Sequence, residues 1–141
     1  MKILIPVDGS ANALRAVGYV IQNIAALKET PQLLLLNVQR NVAQGNVKLF
    51  INKETINDYC REQGMTALQS ARAAFDAAGL PYQYHISIGS TAEAIVQYAY
   101  DQQVDQIVMG RKGLGGLQSL LLGTVVKKVL QLAGSPVVLI K

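Results

Sequence analysis

Short apolar runs alternate with longer stretches of helical periodicity along the whole chain, and that alternation leaves few folds open. Lys2 to Val7 is apolar at nearly every position and stops at Asp8-Gly9, as a strand buried on both faces would. Ser10 is a good N-cap for the next segment. Leu14, Val17, Ile21 and Ile24, with Val20 on the same face, recur at helical spacing and predict a helix over 11–27. Thr30-Pro31 breaks it, and Leu33 to Val38 is a second continuous apolar strand. Residues 39–53 are polar and predict a long loop, either a functional lid or a disordered connection. A long helix is predicted over 54–78, with Ile56, Tyr59, Cys60, Leu68, Ala71 and Phe75 as its buried stripe and Gly79 and Pro81 as its stop. Tyr82 to Ile88 alternates and reads as a third strand. Ser90-Thr91-Ala92-Glu93 has capping-box spacing ahead of a helix whose apolar face is Ile95, Val96 and Ala99. Gln106 to Met109, Leu120 to Leu132 and Pro136 to Ile140 complete the series as strand, helix and strand.

Five strands separated by four helices predict an α/β domain built on a parallel sheet, because right-handed crossovers lay helices on both faces. At 141 residues the chain is the size of one domain, 1–141, large enough to bury a core without a disulfide or metal staple. Half its residues are hydrophobic and 16% are charged, which excludes a disordered acidic or basic tail. The single cysteine, Cys60, excludes an internal disulfide framework and multi-cysteine zinc motifs. It fits a reducing compartment, and with no signal-peptide pattern or membrane-length apolar run the expected location is cytoplasmic. The net charge of +4 is uneven: no acidic residue follows Asp105, whereas Arg111, Lys112, Lys127, Lys128 and Lys141 do.

Ligands of open α/β sheets bind beyond the C-terminal strand ends, which directs attention to Val7-Asp8-Gly9, Val38-Gln39, Ile88-Gly89 and Met109-Gly110. Four of the chain's 12 glycines fall within 110–116, directly after a predicted strand and before a predicted helix. Glycines let the backbone approach a ligand, successive N–H groups form an anion-binding nest, and the following helix adds its positive dipole end. Arg111 and Lys112 add cationic side chains, and the Thr124 hydroxyl can donate to a phosphate oxygen. On these residues alone, a phosphate-binding loop and a glycine-rich connection with solvated basic residues stand side by side. The chain has no G-x-x-x-x-G-K-[ST] and no G-x-G-x-x-G after its first strand, so it is neither a P-loop NTPase nor a dinucleotide-binding dehydrogenase.

Gly110-x-x-Gly113, nine residues, then Gly123-Thr124 resembles the G-2x-G-9x-G-[S/T] pattern of the ATP-binding branch of the universal stress protein family. The entry into Val7-Asp8-Gly9-Ser10 and the ending Ser135-Pro136-Val137-Val138-Leu139-Ile140 are similar to that family too, so the resemblance covers essentially the whole chain. It implies a Rossmann-like, doubly wound sheet of strand order 3-2-1-4-5 with an ATP, ADP or AMP site between the first and fourth strands. In that site Asp8, beside Pro6 and Val7, would sit at the adenosine end. The backbone at Val38 would meet the adenine edge, and Met109 would flank the nucleoside. Gly110, Gly113, Gly123 and Thr124 would cradle ribose and phosphates, with Val125 beside them and Arg111 at a variable position of the pattern. Mg²⁺ would accompany the phosphates. The resemblance further implies a homodimer paired through Val137 to Ile140 and a stress-response sensor or switch that hydrolyses ATP slowly or not at all.

Two other functions fit the same residues: an adenine-nucleotide hydrolase cleaving the α–β bond, and a ligand-free dimeric interaction module. The first is expected to carry a serine- and glycine-rich loop after the first strand, of which Asp8-Gly9-Ser10-Ala11-Asn12 is a poor copy. No nucleophile–base pair, metal cluster or paired carboxylates appears in one motif. His85, the lone histidine, reads as structural, and Cys60 as a core residue. Lys127 and Lys128 read as solvated. Six tyrosines, no tryptophan and no basic–aromatic interleaving argue against nucleic-acid binding.

Overall fold

A computed structural model describes residues 1–40, 52–113 and 122–141. The elements run β1 (Lys2–Pro6), α1 (Ala11–Asn23), β2 (Gln32–Gln39), α2 (Lys53–Ala77), β3 (Gln83–Ile88), α3 (Thr91–Asp101), β4 (Gln106–Gly110), α4 (Thr124–Leu132) and β5 (Val137–Ile140). All four strand pairings are parallel, in the order β3-β2-β1-β4-β5. This is the expected five-stranded α/β sheet.

Because successive strand residues face opposite sides, each strand feeds two cores. Ile3, Ile5, Leu33, Leu35 and Val108 pack with α1 and α2 residues such as Val17, Leu68 and Phe75. Leu4, Leu34, Leu36, Ile107 and Met109 pack with Ile95 of α3 and Val126 and Val129 of α4. Burying each large apolar side chain contributes about 1.5–3 kcal/mol, which is why β1 and β2 read as unbroken apolar runs. No helix among the described residues is long and apolar enough to cross a membrane.

Several predicted details shift. The first helix loses α geometry after Asn23 and tightens into a 3-10 turn over Ile24–Ala26, closed by Leu27 N–H to the Ile24 carbonyl at 3.1 Å. Its buried positions are Ala13, Ala16, Val17 and Val20, while Leu14 is 40% exposed. Ile21 and Ile24 still pack against the core, though only partly buried. Of the predicted 39–53 loop, Gln39 belongs to β2 and Lys53 opens α2, capped by the Asn52 side chain accepting from Thr55 N–H at 2.7 Å. Residues 41–51 lie outside the described residues. The final helix begins at Thr124, and 114–121, where its first residues were expected, also lie outside them. The capping box before α3 does not form. Ser90 makes no side-chain cap bond, and Glu93 pairs instead with Lys128 of α4.

The stripe of α2 is Ile56, Cys60, Gly64, Leu68, Ala71 and Phe75; Tyr59 is off it and 49% exposed. Gly64 belongs there for lack of a side chain, since a Cβ would lie 2.7 Å from two carbons of Ile86 on β3. Gly64→Val should therefore lower unfolding free energy by about 1–3 kcal/mol through overpacking. In denaturant titrations, adding Ile86→Ala should recover part of that loss; an equal loss in both backgrounds would refute the contact as its source.

Candidate functional site

β1 is the switch point of the sheet. The chain leaving it goes to α1 on one face, and the chain leaving neighbouring β4 goes to α4 on the other, so the two ends part and open a crevice. A cavity of about 140 Å³ occupies it. Of the sequence-predicted residues, Pro6, Val7, Asp8, Val38, Met109, Gly110, Gly113, Gly123, Thr124 and Val125 all line this cavity. Arg111 does not, and its neighbour Lys112 does.

The backbone of Arg111 explains its place. Its N–H donates to the Ile140 carbonyl at 3.0 Å, extending the β4–β5 ladder, and its carbonyl accepts from Gly123 N–H at 2.8 Å. The second bond ties the two ends of the glycine-rich segment together and delivers Gly123 and Thr124 to the cavity as the start of α4. Asp8 is oriented from the other side: its Oδ1 accepts from Ser10 N–H at 2.9 Å, and the Ser10 hydroxyl accepts from Ala13 N–H at 3.1 Å to cap α1. The other carboxylate oxygen of Asp8 faces Gly113, where a Cβ would lie 2.5 Å from it.

The three pattern glycines are not equivalent. A Cβ at Gly110 would meet the backbone of Asn12 at 2.7 Å, so that position is reserved for the close approach of α1 to β4. At Gly113 the neighbour is the Asp8 carboxylate. At Gly123 a Cβ would make ordinary contacts at 3.4–3.6 Å, so the fold does not itself require glycine there.

Sequence reasoning missed Asn37, which is 2% exposed and lines the cavity. Its Nδ2 donates to the Val7 carbonyl at 2.8 Å, and its Oδ1 accepts from Gln39 Nε2 at 2.7 Å. The signal was a lone polar residue inside the apolar run Leu33 to Val38. Thr91 and Ile95 of α3 also reach the cavity. A second depression adjoins it at Thr91, Thr124 and Val125 and is lined by Arg40, Ser90, Glu93 and Lys128. There Lys128, expected to be merely solvated, bonds Glu93, and that bond holds the Glu93 carboxyl below its ordinary range.

His85 does not line the cavity and stacks on Tyr98, with ring centroids 5.2 Å apart. Burial raises the pKa of Tyr98. Cys60 is fully buried beside Ile56. No group of three His, Cys, Asp or Glu side chains that could hold a metal occurs among the described residues.

Residues 1–141 match the universal stress protein family. The chain belongs to that family. Universal stress protein MJ0531 of Methanocaldococcus jannaschii is 32% identical over 145 residues, covering 99% of this chain and 81% of the relative. The solved structure of the hypothetical protein MJ0577 superposes with a TM-score of 0.84 at 27% identity, over 99% of this chain and 94% of that one. Two further family structures share the fold with a TM-score of 0.71 at 21% identity: one in complex with cAMP, covering 100% of this chain and 97% of its own, and one from Arabidopsis thaliana with AMP bound, covering 100% and 91%.

The unequal glycines yield a test in the absence of ligand. Gly110→Ala should lower stability by about 1–3 kcal/mol, since the obstacle is helix backbone. Gly123→Ala should change it by no more than about 0.5 kcal/mol. Thermal or denaturant unfolding of the two variants checks the order, and a reversal would contradict the packing described.

Proposed function

We propose that this chain binds an adenine nucleotide, ATP or its di- or monophosphate, in the crevice between β1 and β4, and that it works as a stress-response binding switch without dedicated catalysis. The observation that carries the reading is the juxtaposition of Asp8 and Gly113 at the head of α4. A carboxylate suited to sugar hydroxyls lies against a position where no side chain intrudes, beside the unpaired amides of a helix N-terminus. In this reading Asp8 holds the ribose, while Met109, Val38 and Pro6 supply apolar walls for the nucleoside. Gly113, Gly123 and the Thr124 amide and hydroxyl take the phosphates, with Lys112 offsetting their charge. The cavity is smaller than the roughly 300–1,000 Å³ of a pocket that encloses a small molecule, so a nucleotide would seat one end and lie along the crevice mouth.

Asp8 is the one carboxylate among the described lining residues, and no histidine is among them. Phosphoryl transfer draws on metal-holding carboxylates and a positioned base, so these residues support retention of the nucleotide more than its turnover. Mg²⁺ would enter with the phosphates. Bound nucleotide would stabilise the chain by RT ln(1 + [L]/Kd), about 2.7 kcal/mol at a hundredfold excess over Kd.

The test is acid release of co-purified nucleotide together with thermal shifts in ATP. The expected result is adenine nucleotide in the supernatant and a shift in wild type that is lost in Gly113→Val and Gly123→Val. No nucleotide and no shift at millimolar ATP would sink the proposal. Steady pyrophosphate release would transfer the site to the hydrolase reading.

The reading includes a homodimer paired through β5. The carbonyls of Pro136 and Ile140 accept from Ile107 and Arg111 of the β4 side, so the intervening Val137 and Leu139 present N–H and C=O outward from an edge strand. Leu139→Pro removes one outward donor and leaves the β4 ladder intact. In sedimentation velocity it should shift dimer towards monomer, and an unchanged dimer would place the interface elsewhere.

A further inference from the structure

The hydrogen-bond phase of β2 breaks at the cavity, and Asn37 is the residue that breaks it. In a parallel ladder the N–H and C=O of one residue point to the same neighbour, and successive residues alternate between neighbours. The Leu36 carbonyl accepts from Val7 N–H at 2.8 Å, which sets its side as that of β1. The Gln39 carbonyl accepts from Gly89 N–H at 2.9 Å, which sets its side as that of β3. The N–H and C=O of Val38 therefore point towards β1. A continued ladder would give the Val38 N–H to the Val7 carbonyl and the Val38 carbonyl to Gly9 N–H.

Neither backbone bond forms among the described residues. The Val7 carbonyl accepts from the Asn37 side chain instead. Gly9, at φ +87°, turns the chain off against Ala67 of α2. Gln39 fixes which way the Asn37 amide faces, because its own Nε2 donates to Asn37 Oδ1 and leaves Nδ2 for Val7. Val38 thus ends with a donor and an acceptor side by side at the wall of the cavity it lines.

We propose that Asn37 is a positioning residue for base selection: by taking the Val7 carbonyl it frees the Val38 N–H and C=O to pair with N1 and the 6-amino group of adenine. Hypoxanthine and guanine carry N1–H and a 6-oxo group, the opposite polarity, and would leave both Val38 groups unpaired. The inference rests on the adenine-nucleotide reading, in which the resemblance already brings the Val38 backbone to the adenine edge, and adds which side chain makes those two groups available.

ATP and ITP differ only at this edge, so titration calorimetry with both separates the possibilities. Wild type should bind ATP at least about 10-fold more tightly than ITP, the consequence of two unpaired polar groups. Asn37→Asp keeps the shape but cannot donate to Val7, and should bring the two affinities to within about 3-fold. Gln39→Leu, which leaves Asn37 in place without its clamp, should reduce the preference by a smaller factor. If Asn37→Asp does not fold, Gln39→Leu decides: a reduced ATP-over-ITP preference supports the role of Asn37, and an unchanged preference overturns it. Equal binding of ATP and ITP by wild type overturns the inference while the nucleotide site stands. Proportional weakening of both in Asn37→Asp also overturns it, since it would mark Asn37 as only holding the fold. Binding of neither by wild type fells the nucleotide reading and this inference together.

Discussion

Burial of β1 on both faces is the constraint on which the crevice depends. Leu4 and Ile5 have no exposed surface and point into opposite cores, so neither face of the strand can rotate towards solvent. With β1 fixed between β2 and β4, the only freedom left is where the chain goes after Pro6. It goes over one face to α1, and the chain after β4 goes over the other to α4. The crevice is the space those departures leave, and the end of the ladder brings backbone groups to it beside the side chains of Asp8, Asn37, Lys112 and Thr124. The close packing of Gly110 on Asn12 keeps that geometry in place by letting α1 sit directly on β4.

Polar groups near the crevice are handled by substitution of one partner for another. Asn37 stands in for a strand residue at Val7, Asp8 stands in for a turn carbonyl at Ser10, and Ser10 caps the helix that follows. The Arg111–Gly123 bond closes the glycine-rich segment at its base. No buried side-chain nitrogen or oxygen is left without a partner among the described residues. This matters for recognition because an unsatisfied group costs about 1–3 kcal/mol. A frame whose own groups are paired can offer its remaining donors and acceptors to a ligand without strain.

The strand and helix order was legible because parallel strands covered on both sides must be apolar throughout, and Leu33–Leu36 could hardly be anything else. Part of the cavity lining was legible for the same reason: the ends of β1, β2 and β4 are known once the strands are. Gly113, Gly123, Thr124 and Val125 were placed by the family pattern, and Ile88-Gly89 at the end of β3, singled out by the same rule, do not line the cavity. Less legible were positions whose meaning lies in a neighbour distant in sequence. Tyr59 looked like core because the stripe was read without Gly64, and Gly64 looked like nothing until Ile86 was set against it. Glu93 matched a local capping pattern, yet an ammonium on α4 offered it a stronger, charged partner.

The sequence by itself determined the class of the fold and the glycine-rich segment, since periodicity, apolar runs and turn residues act over a few neighbouring positions. The switch point between β1 and β4 came from the family resemblance, because strand order is not written in local pattern. Tertiary structure alone decided what each glycine is for. Gly110 answers to α1, Gly113 to Asp8, and Gly123 to no side chain of the fold. It alone decided, too, that the β1–β2 ladder ends at Leu36 and that the Asn37 side chain takes the Val7 carbonyl. Those outcomes depend on distances between segments far apart in sequence, from Asn37 and Val7 to Gly113 and Asp8, and a linear pattern carries no record of such distances until the sheet has brought the segments together.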